Sequence, residues 1–429
     1  MSKKQTLSGK VVRVKEPERR QIEWRPFALD QMIPQDHRVR MVWKYVDSLD
    51  LSGFYDLIES VEGRAGRDTV DPRILFALWM FATIESLSSA RQLARLCERD
   101  MAYMWICGGV GVNHHMLSDF RTSHGELLDK LLTDTIATLL HQNLVTLEVV
   151  AQDGVRVRAS AGTDSFRREK TLRDHLRRAR EHVATLNAQR EQDGQQVKDS
   201  QAQAAAEKAA NEREQRVEKA LENLKELQAQ KEKRKKGTGM KARCSTTDPE
   251  ARNMKMGDGG FRPAYNVQLG TEGESRMIVS VDVTNSGSDR GQMAAMHESI
   301  CGTYQKTPEK YLVDCGFATK NDITKVEQSG TAVLAPIHGE EKMLAAGNDP
   351  HARKPGDTDE MERFRQRMGT EEAKTQYKTR PSIAEFPNAE FRNRGLTQFR
   401  SRGRVKVKAE ALWHAITYNF MRMTHLGFI

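Results

Sequence analysis

From residue 261 onward the chain alternates short β-rich apolar runs with helical stretches, and that order leaves few folds open. FRPAYNVQLGT (261–271) and SRMIVSVDVTNSGSD (275–289) read as two strands joined at a turn around Glu272 and Gly273. DRGQMAAMHESICGTYQ then reads as a helix, EKYLVDCGF as a strand, TKNDITKVEQSG as a helix and TAVLAPI as a strand. An earlier strand emerges in VTLEVVAQDGVRVRASAG (145–162), where Leu147, Val149 and Ala151 alternate with their neighbours and Asp153 and Gly154 follow. Three strands followed by alternating helix and strand is the ribonuclease H-like layout. It predicts an α/β class with a mixed sheet flanked by helices.

That layout holds only if the stretch between the first and second strands is set aside as an insertion. Residues 166–236 are low in complexity and rich in Arg, Glu, Gln, Ala and Lys. Leu172, Leu176, Ala179, Val183 and Leu186 step by four and three; beyond Asp193 and Gly194 a second series runs Ala210, Val217, Leu221, Leu224 and Gln228. Two heptad arms around a turn predict an antiparallel helical hairpin, read as a solvated spacer or as a dimer or DNA clamp. The basic KEKRKKGTGMK (231–241) ends its second arm.

Before the first strand the pattern is helical. DPRILFALWMFATIESL (71–87) opens with Asp71 as N-cap and Pro72 at the first helical position, and then runs apolar at helical spacing. SSARQLARLCERDMAYMWI (88–106) continues as one amphipathic helix until Gly108 and Gly109, and 113–142 reads as an N-capped helix followed by a long one. Short helices with Arg and His on their polar faces suit a helix-turn-helix-like DNA reader, or equally an all-α bundle. The expected organisation is therefore a helical domain over 1–145, a catalytic domain over 146–165 and 241–429, and an inserted coiled-coil hairpin over 166–240.

The run Tyr311, Leu312, Val313 has the composition of a buried strand, yet it ends in a bare carboxylate, Asp314. A charge there is costly unless it is paired or bound to a cation. In the expected sheet the first and fourth strands are neighbours, so Asp153 and Asp314 meet at one spot. Two such carboxylates share a proton or bind metal, and oxygen ligands favour Mg²⁺ or Mn²⁺. Glu385 in YKTRPSIAEFP is the best-placed third acid, and three carboxylates suit two ions about 3.5–4 Å apart, arranged for in-line attack on a phosphodiester.

AQDGVRVRASAG, STTDPEARNMKMGDGGFRPAYNVQ, VDVTNSGSDRGQM, YLVDCGF and YKTRPSIAEFP together resemble bacterial insertion-sequence transposases of the DDE type, in the IS-four/IS-five-like superfamily. DPRILFALWMFATIESLSSARQLARLCERDMAYMWICGG is similar to their N-terminal helical domain, and the likeness runs from about 65 to 425. The resemblance implies that Asp153, Asp314 and Glu385 are the catalytic, metal-binding acids. It also implies that Tyr377 and Arg380 are the Tyr and Arg of the family's Tyr, Arg, Glu, Lys signature, with Arg392 where Lys is usual. PNA (387–389) departs from the PFG usual after the Glu, which makes Glu390 the fallback acid.

The basic run RNRGLTQFRSRGRVKVK (392–408) holds Arg392, Arg394, Arg400, Arg402 and Arg404 around Phe399, and is read as tracking the phosphates of a transposon end. Asp282 and Asp289 read as structural or turn residues, with a share in metal binding as the alternative. Asp258 belongs to a glycine-shaped turn, and His297 and His338 read as solvated because neither has metal-ligand spacing. ALWHAITYNFMRM reads as a core helix.

Composition narrows the setting. A formal charge of +9 and a pI near 9.2 favour a polyanionic partner. Five cysteines without CxxC spacing indicate neither a disulfide framework nor a zinc site, and read as reduced thiols. The N-terminus lacks a signal-peptide apolar segment and no apolar stretch of about 18 residues occurs, so the expectation is a cytoplasmic, nucleoid-associated protein with no membrane contact. The expected activity is metal-dependent cleavage at transposon ends and strand transfer into double-stranded target DNA, by a homodimer or higher oligomer. The rivals are a two-metal nuclease that cuts without joining, and an inactive DNA-binding or assembly protein derived from a transposase.

Overall fold

The computed structural model describes residues 28–60, 68–192 and 200–429, together with the antiparallel two-residue strands Thr6–Leu7 and Lys10–Val11. Most of the first 27 residues, where the signal-peptide reading falls, and the turn expected at Asp193 and Gly194 lie outside the described residues.

The N-terminal part is helical: α1 (Arg38–Ser48), α2 (Pro72–Ile84), α3 (Ala90–Leu96), α4 (Met101–Cys107), α5 (His114–Ser123) and α6 (Gly125–His141). Asp71 caps α2 by accepting from the Arg73 amide, and Pro72 stands at its first turn as expected. The single helix expected over 88–106 is instead two. Asp100 accepts from the Ala102 and Tyr103 amides, so a new helix starts at Met101, and Gly108 ends it in a left-handed conformation (φ 55°).

The sheet is six-stranded. Its strands are β1 (Val149–Arg158), β2 (Arg252–Lys255), β3 (Phe261–Glu272), β4 (Ile278–Thr284), β5 (Lys310–Leu312) and β6 (Ala332–Leu334). Spatially the order is β6, β5, β1, β3, with β4 and β2 both on the far side of β3. β1 and β5 are parallel, as are β5 and β6, while β3 runs antiparallel to β1 and β4 antiparallel to β3. This order is consistent with a ribonuclease H-like fold. Strand β2 escapes sequence reasoning because RNMK carries one apolar residue inward, Met254; its pairing with β3 depends on a tight turn at Gly259 (φ 82°), closed by Asp258 accepting from the Gly260 amide and Arg262.

Helices α9 (Gln292–Tyr304) and α10 (Lys320–Gln328) alternate with the last strands as expected. The C-terminal stretch adds α11 (Asp359–Met368), α12 (Glu371–Tyr377), a π-helical turn (Pro381–Glu385), α13 (Phe386–Asn393) and the 23-residue α14 (Arg404–Leu426). α14 packs against α2, α5, α6 and β4, so the N-terminal helices and the sheet share one buried apolar cluster. At its centre Trp413 lies 4.7 Å from the Phe76 ring and donates its indole N–H to the Arg121 carbonyl at 3.0 Å.

The insertion folds as two helices packed on each other, α7 (Glu169–Gln192) and α8 (Ser200–Arg234). Arg180 reaching Glu214 and Glu218, and Gln228 reaching Glu169, set them antiparallel. Leu172, Ala220, Leu224, Ala242 and Cys244 form a small separate core at the hairpin's base, whereas Leu176, Val183 and Leu186 are only half-buried. All five cysteines are free.

Candidate active site

Parallel pairing of β1 with β5 brings the two aspartates together. Val149 pairs with Lys310 and Ala151 with Leu312, so Asp153 and Asp314 each lie two residues beyond the same register pair. Asp314 ends its strand because its carboxylate accepts from the Gly316 amide at 2.7 Å; a side chain at Gly316 would press on that carboxylate oxygen at 2.9 Å. Behind them Gln152 bridges the Tyr311 hydroxyl and the Gln268 side chain, so the strands are tied by a buried polar network.

Asp153 is half-buried, and its carboxyl is pushed up to about 6 by burial, with the charges of Asp314 and Asp289 adding to the rise and Arg380 opposing it. Arg380 is buried, donates to Asp153 at 3.1 Å and stands 3.6 Å from Glu385. Its position comes from the π-helical turn that follows, which packs on β1 and β3 and places Glu385 at its end, 60 % exposed. Asn388, one turn into α13, donates to the other Asp153 oxygen at 2.7 Å. Tyr377, at the end of α12, is half-buried, and burial raises its hydroxyl, with Asp314 and Asp153 close enough to add to the rise and Arg380 to oppose it.

The other expected residues divide. Arg392 is exposed and lines a shallow groove with Arg156 and Arg158 of β1. Arg394 is half-buried, pairing with Glu390 at 3.0 Å and donating to the Ile84 carbonyl, which also ties down the fallback acid Glu390. The Arg400 and Arg402 guanidiniums donate to Ser88 and to the Ser160 carbonyl, and the Arg404 amide donates to Glu250. Phe399, read as an aromatic among phosphate-tracking arginines, is buried against Tyr265 at 6.1 Å because the Phe399 amide pairs with the Arg158 carbonyl at the end of β1.

Asp289 sits on the opposite face of β1. A side chain on Gly154 would meet it at 2.7 Å, while successive side chains of a strand point to opposite faces. Asn266 and Gln268 hold its carboxylate there, the structural role expected of it. Asp282 is exposed. His297, expected to be solvated, is buried: it bonds Thr331 at 2.7 Å, and burial lowers its pKa to about 4. His338 is exposed, with Cys315 at 3.5 Å.

Asp153 and Asp314 at matching strand ends and Glu385 on the π-helical turn offer oxygen donors, and a half-buried Asp153 raised to about 6 is short of positive charge; both suit a hard divalent cation. Among the described residues no group of three or more His, Cys, Asp or Glu is arranged to hold a metal ion. The Arg380 guanidinium stands between Asp153 and Glu385, donating to the first and 3.6 Å from the second.

Asn388, Arg156 and Arg158 were missed from sequence. The signal for the arginines was present in DGVRVR, where they alternate with inward Val155 and Val157. Asn388 lies in the segment that departs from the family pattern, and nothing in sequence pointed it at Asp153.

A sheet in this order, with acids at matching ends of two neighbouring parallel strands, is consistent with the ribonuclease H-like class. The chain belongs to the insertion-sequence DDE transposases: residues 237–420 match the family model described as Transposase DDE domain, and residues 27–123 the one described as Transposase domain (DUF772). Enzymes of this family act on DNA and depend on divalent metal ions. Asp153 lies outside both matched spans, and the pairing of β1 places it beside Asp314. No curated protein and no solved structure matches the chain. Among the described residues no helix is long and apolar enough to cross a membrane.

Proposed function

We propose that this transposase, of the IS-four/IS-five-like kind, hydrolyses a phosphodiester at the ends of its element and joins the freed 3′-hydroxyl to double-stranded target DNA at one site. Asp153, Asp314 and Glu385 are the acids that would hold two Mg²⁺ (or Mn²⁺) ions. When bound, such ions activate the attacking oxygen and stabilise the leaving one. The observation that carries the assignment is the convergence of Asp153 and Glu385 on one buried guanidinium, with Asp314 at the matching end of the neighbouring strand.

The chain's own groups have separable tasks. Asn388 fixes the orientation of the Asp153 carboxylate. Arg380 neutralises the buried acid and, facing the same spot as Tyr377, is placed to meet a phosphate that enters. Arg392, exposed beside Arg156 and Arg158, binds the DNA backbone next to the cut. In this reading residues 1–145 form the DNA-binding helical domain, 146–165 and 241–429 the catalytic domain, and 166–240 its inserted hairpin. Two element ends must be held together, so the working form is a dimer or larger.

The test is cleavage and strand transfer on an oligonucleotide carrying the element's ends, with and without Mg²⁺. Asp153→Asn removes both steps and leaves DNA binding. Cleavage without joining by the unaltered protein would identify a nuclease, and binding with neither step an inactive relative.

A further inference from the structure

Where the hairpin joins the sheet, the last turns of α8 and the strand β2 enclose an open groove of 770 Å³. Six cations line it: Lys231, Arg234, Lys241, Arg243, Arg252 and Lys255. Five of them are exposed and Arg252 is half-buried. Glu226 is the one acid of the lining, and none of the six cations forms an ion pair among the described residues.

Four arginines along the arms are different. Arg173 pairs with Glu169, Arg177 with Glu181, Arg180 with Glu214 and Glu218, and Arg216 with Glu212. These arm arginines are neutralised, whereas all six cations at the base are bare. An array of unpaired cations repels itself, and binding a polyanion both relieves that repulsion and releases counterions.

The groove also adjoins a second cationic groove beside β1. Arg156 donates to the carbonyls of Lys255 and Gly287, which line the groove, while its own side chain lines the smaller groove that holds Arg158 and Arg392. Arg156 and Arg158 follow Asp153 on β1 by three and five residues, roughly 10 and 17 Å along an extended strand. Arg156, which also stands 3.7 Å from Asp289, and Arg158 project from the face of β1 opposite Asp153, so this cationic surface lies on the other side of the strand from the acid and runs out to the hairpin. Asn285 and Ser286 add neutral donors to its wall, and Phe261, 67 % exposed, stands at its edge.

We infer that the base of the hairpin is a DNA-binding surface: the groove grips the phosphate backbone of the duplex flanking the bond cut at Asp153, and the hairpin acts as the far wall of the DNA channel. This rests on the transposase reading and deepens it. Duplex DNA is favoured over an acidic protein because enzymes of this family act on DNA and six unpaired cations along one groove suit repeated backbone phosphates.

The test uses the full chain. Lys231→Gln, Arg234→Gln and Arg243→Gln are combined in one variant; a control combines Arg173→Gln, Arg177→Gln and Arg216→Gln, whose arginines are ion-paired. Anisotropy of a labelled duplex is titrated across a salt series. The groove variant is expected to bind about tenfold more weakly or worse, with a plot of log affinity against log salt shallower by about 2 to 3, since each lost phosphate contact removes about 0.9 from the slope. The control is expected to keep the wild-type slope.

Amine acetylation of the unaltered chain, read by mass spectrometry, gives the same answer without a variant: duplex should protect Lys231, Lys241 and Lys255 but not Lys219, which pairs with Glu250. A wild-type slope in the groove variant, or protection by polyglutamate but not by duplex, overturns the inference while leaving the transposase reading standing. Absence of duplex binding and of metal-dependent cleavage in the wild type sinks both.

Discussion

Removing Arg380 should expose the electrostatic debt of Asp153, and the size of the effect follows from the structure. In the folded protein the Asp153 carboxyl is raised from 3.8 to about 6 by burial even with Arg380 in contact. A carboxyl raised in this way makes folding less favourable as pH climbs past the unfolded value, because the folded chain holds the proton more tightly than the unfolded one. Arg380→Met keeps the apolar stem and deletes the charge, leaving Asp153 no neutraliser in contact, so it must fold protonated. At about pH 8 the variant carries the extra cost of protonating a group that Arg380 would hold near 6. Two pH units at about 1.4 kcal/mol each give about 3 kcal/mol. At about pH 5 the wild-type Asp153 is already mostly protonated, so the difference falls to a few tenths of a kcal/mol. The assay is urea unfolding of both proteins in EDTA at the two pH values. A loss of the same size at both, or one under about 1 kcal/mol at pH 8, refutes the view that Arg380 neutralises this acid.

Other consequences are simpler to read. Asp314→Asn and Glu385→Gln should each abolish cleavage while leaving duplex affinity within about twofold, and Glu390→Gln should retain cleavage; loss of cleavage only in the last would move the third acid to position 390. Asn388→Ala should lower the cleavage rate by tenfold or more with little change in DNA affinity, because only the aim of Asp153 is lost. His297 is held neutral by burial with its pKa lowered to about 4, so its contribution to stability is full above about 6.5 and shrinks as pH falls. At about pH 5 this loss is about 2 kcal/mol, and His297→Gln should remove that part of the acid sensitivity; an unchanged acid profile would contradict it. Trp413→Ala, in the contact between α14 and the N-terminal helices, should cost about 3–5 kcal/mol in chemical denaturation.

Much of this architecture was legible before any coordinates. The β-rich apolar runs of β1, β3 and β4, the Asp71 and Pro72 start of α2 and the heptads at the base of the hairpin are local patterns, and local patterns report element type directly. Asp314 was visible for the same reason, as a charge at the end of an apolar run. The helix break at Asp100 was missed because amphipathic spacing continues through it while the cap acts over only three residues. Phe399 and His297 were misread because their burial is imposed from afar: one by pairing next to β1, the other by Thr331 and Tyr311.

What sequence by itself determined is therefore the set of elements, their order and the acids they carry, since periodicity and composition are properties of neighbours along the chain. Tertiary structure alone decided which partners those acids meet. The contacts of buried Arg380 and of Asn388 with Asp153, and the unpaired cations gathered where the hairpin meets β2, join residues from about ten to more than two hundred positions apart. Such contacts arise from packing long helices and strands into one core, and no local pattern encodes them.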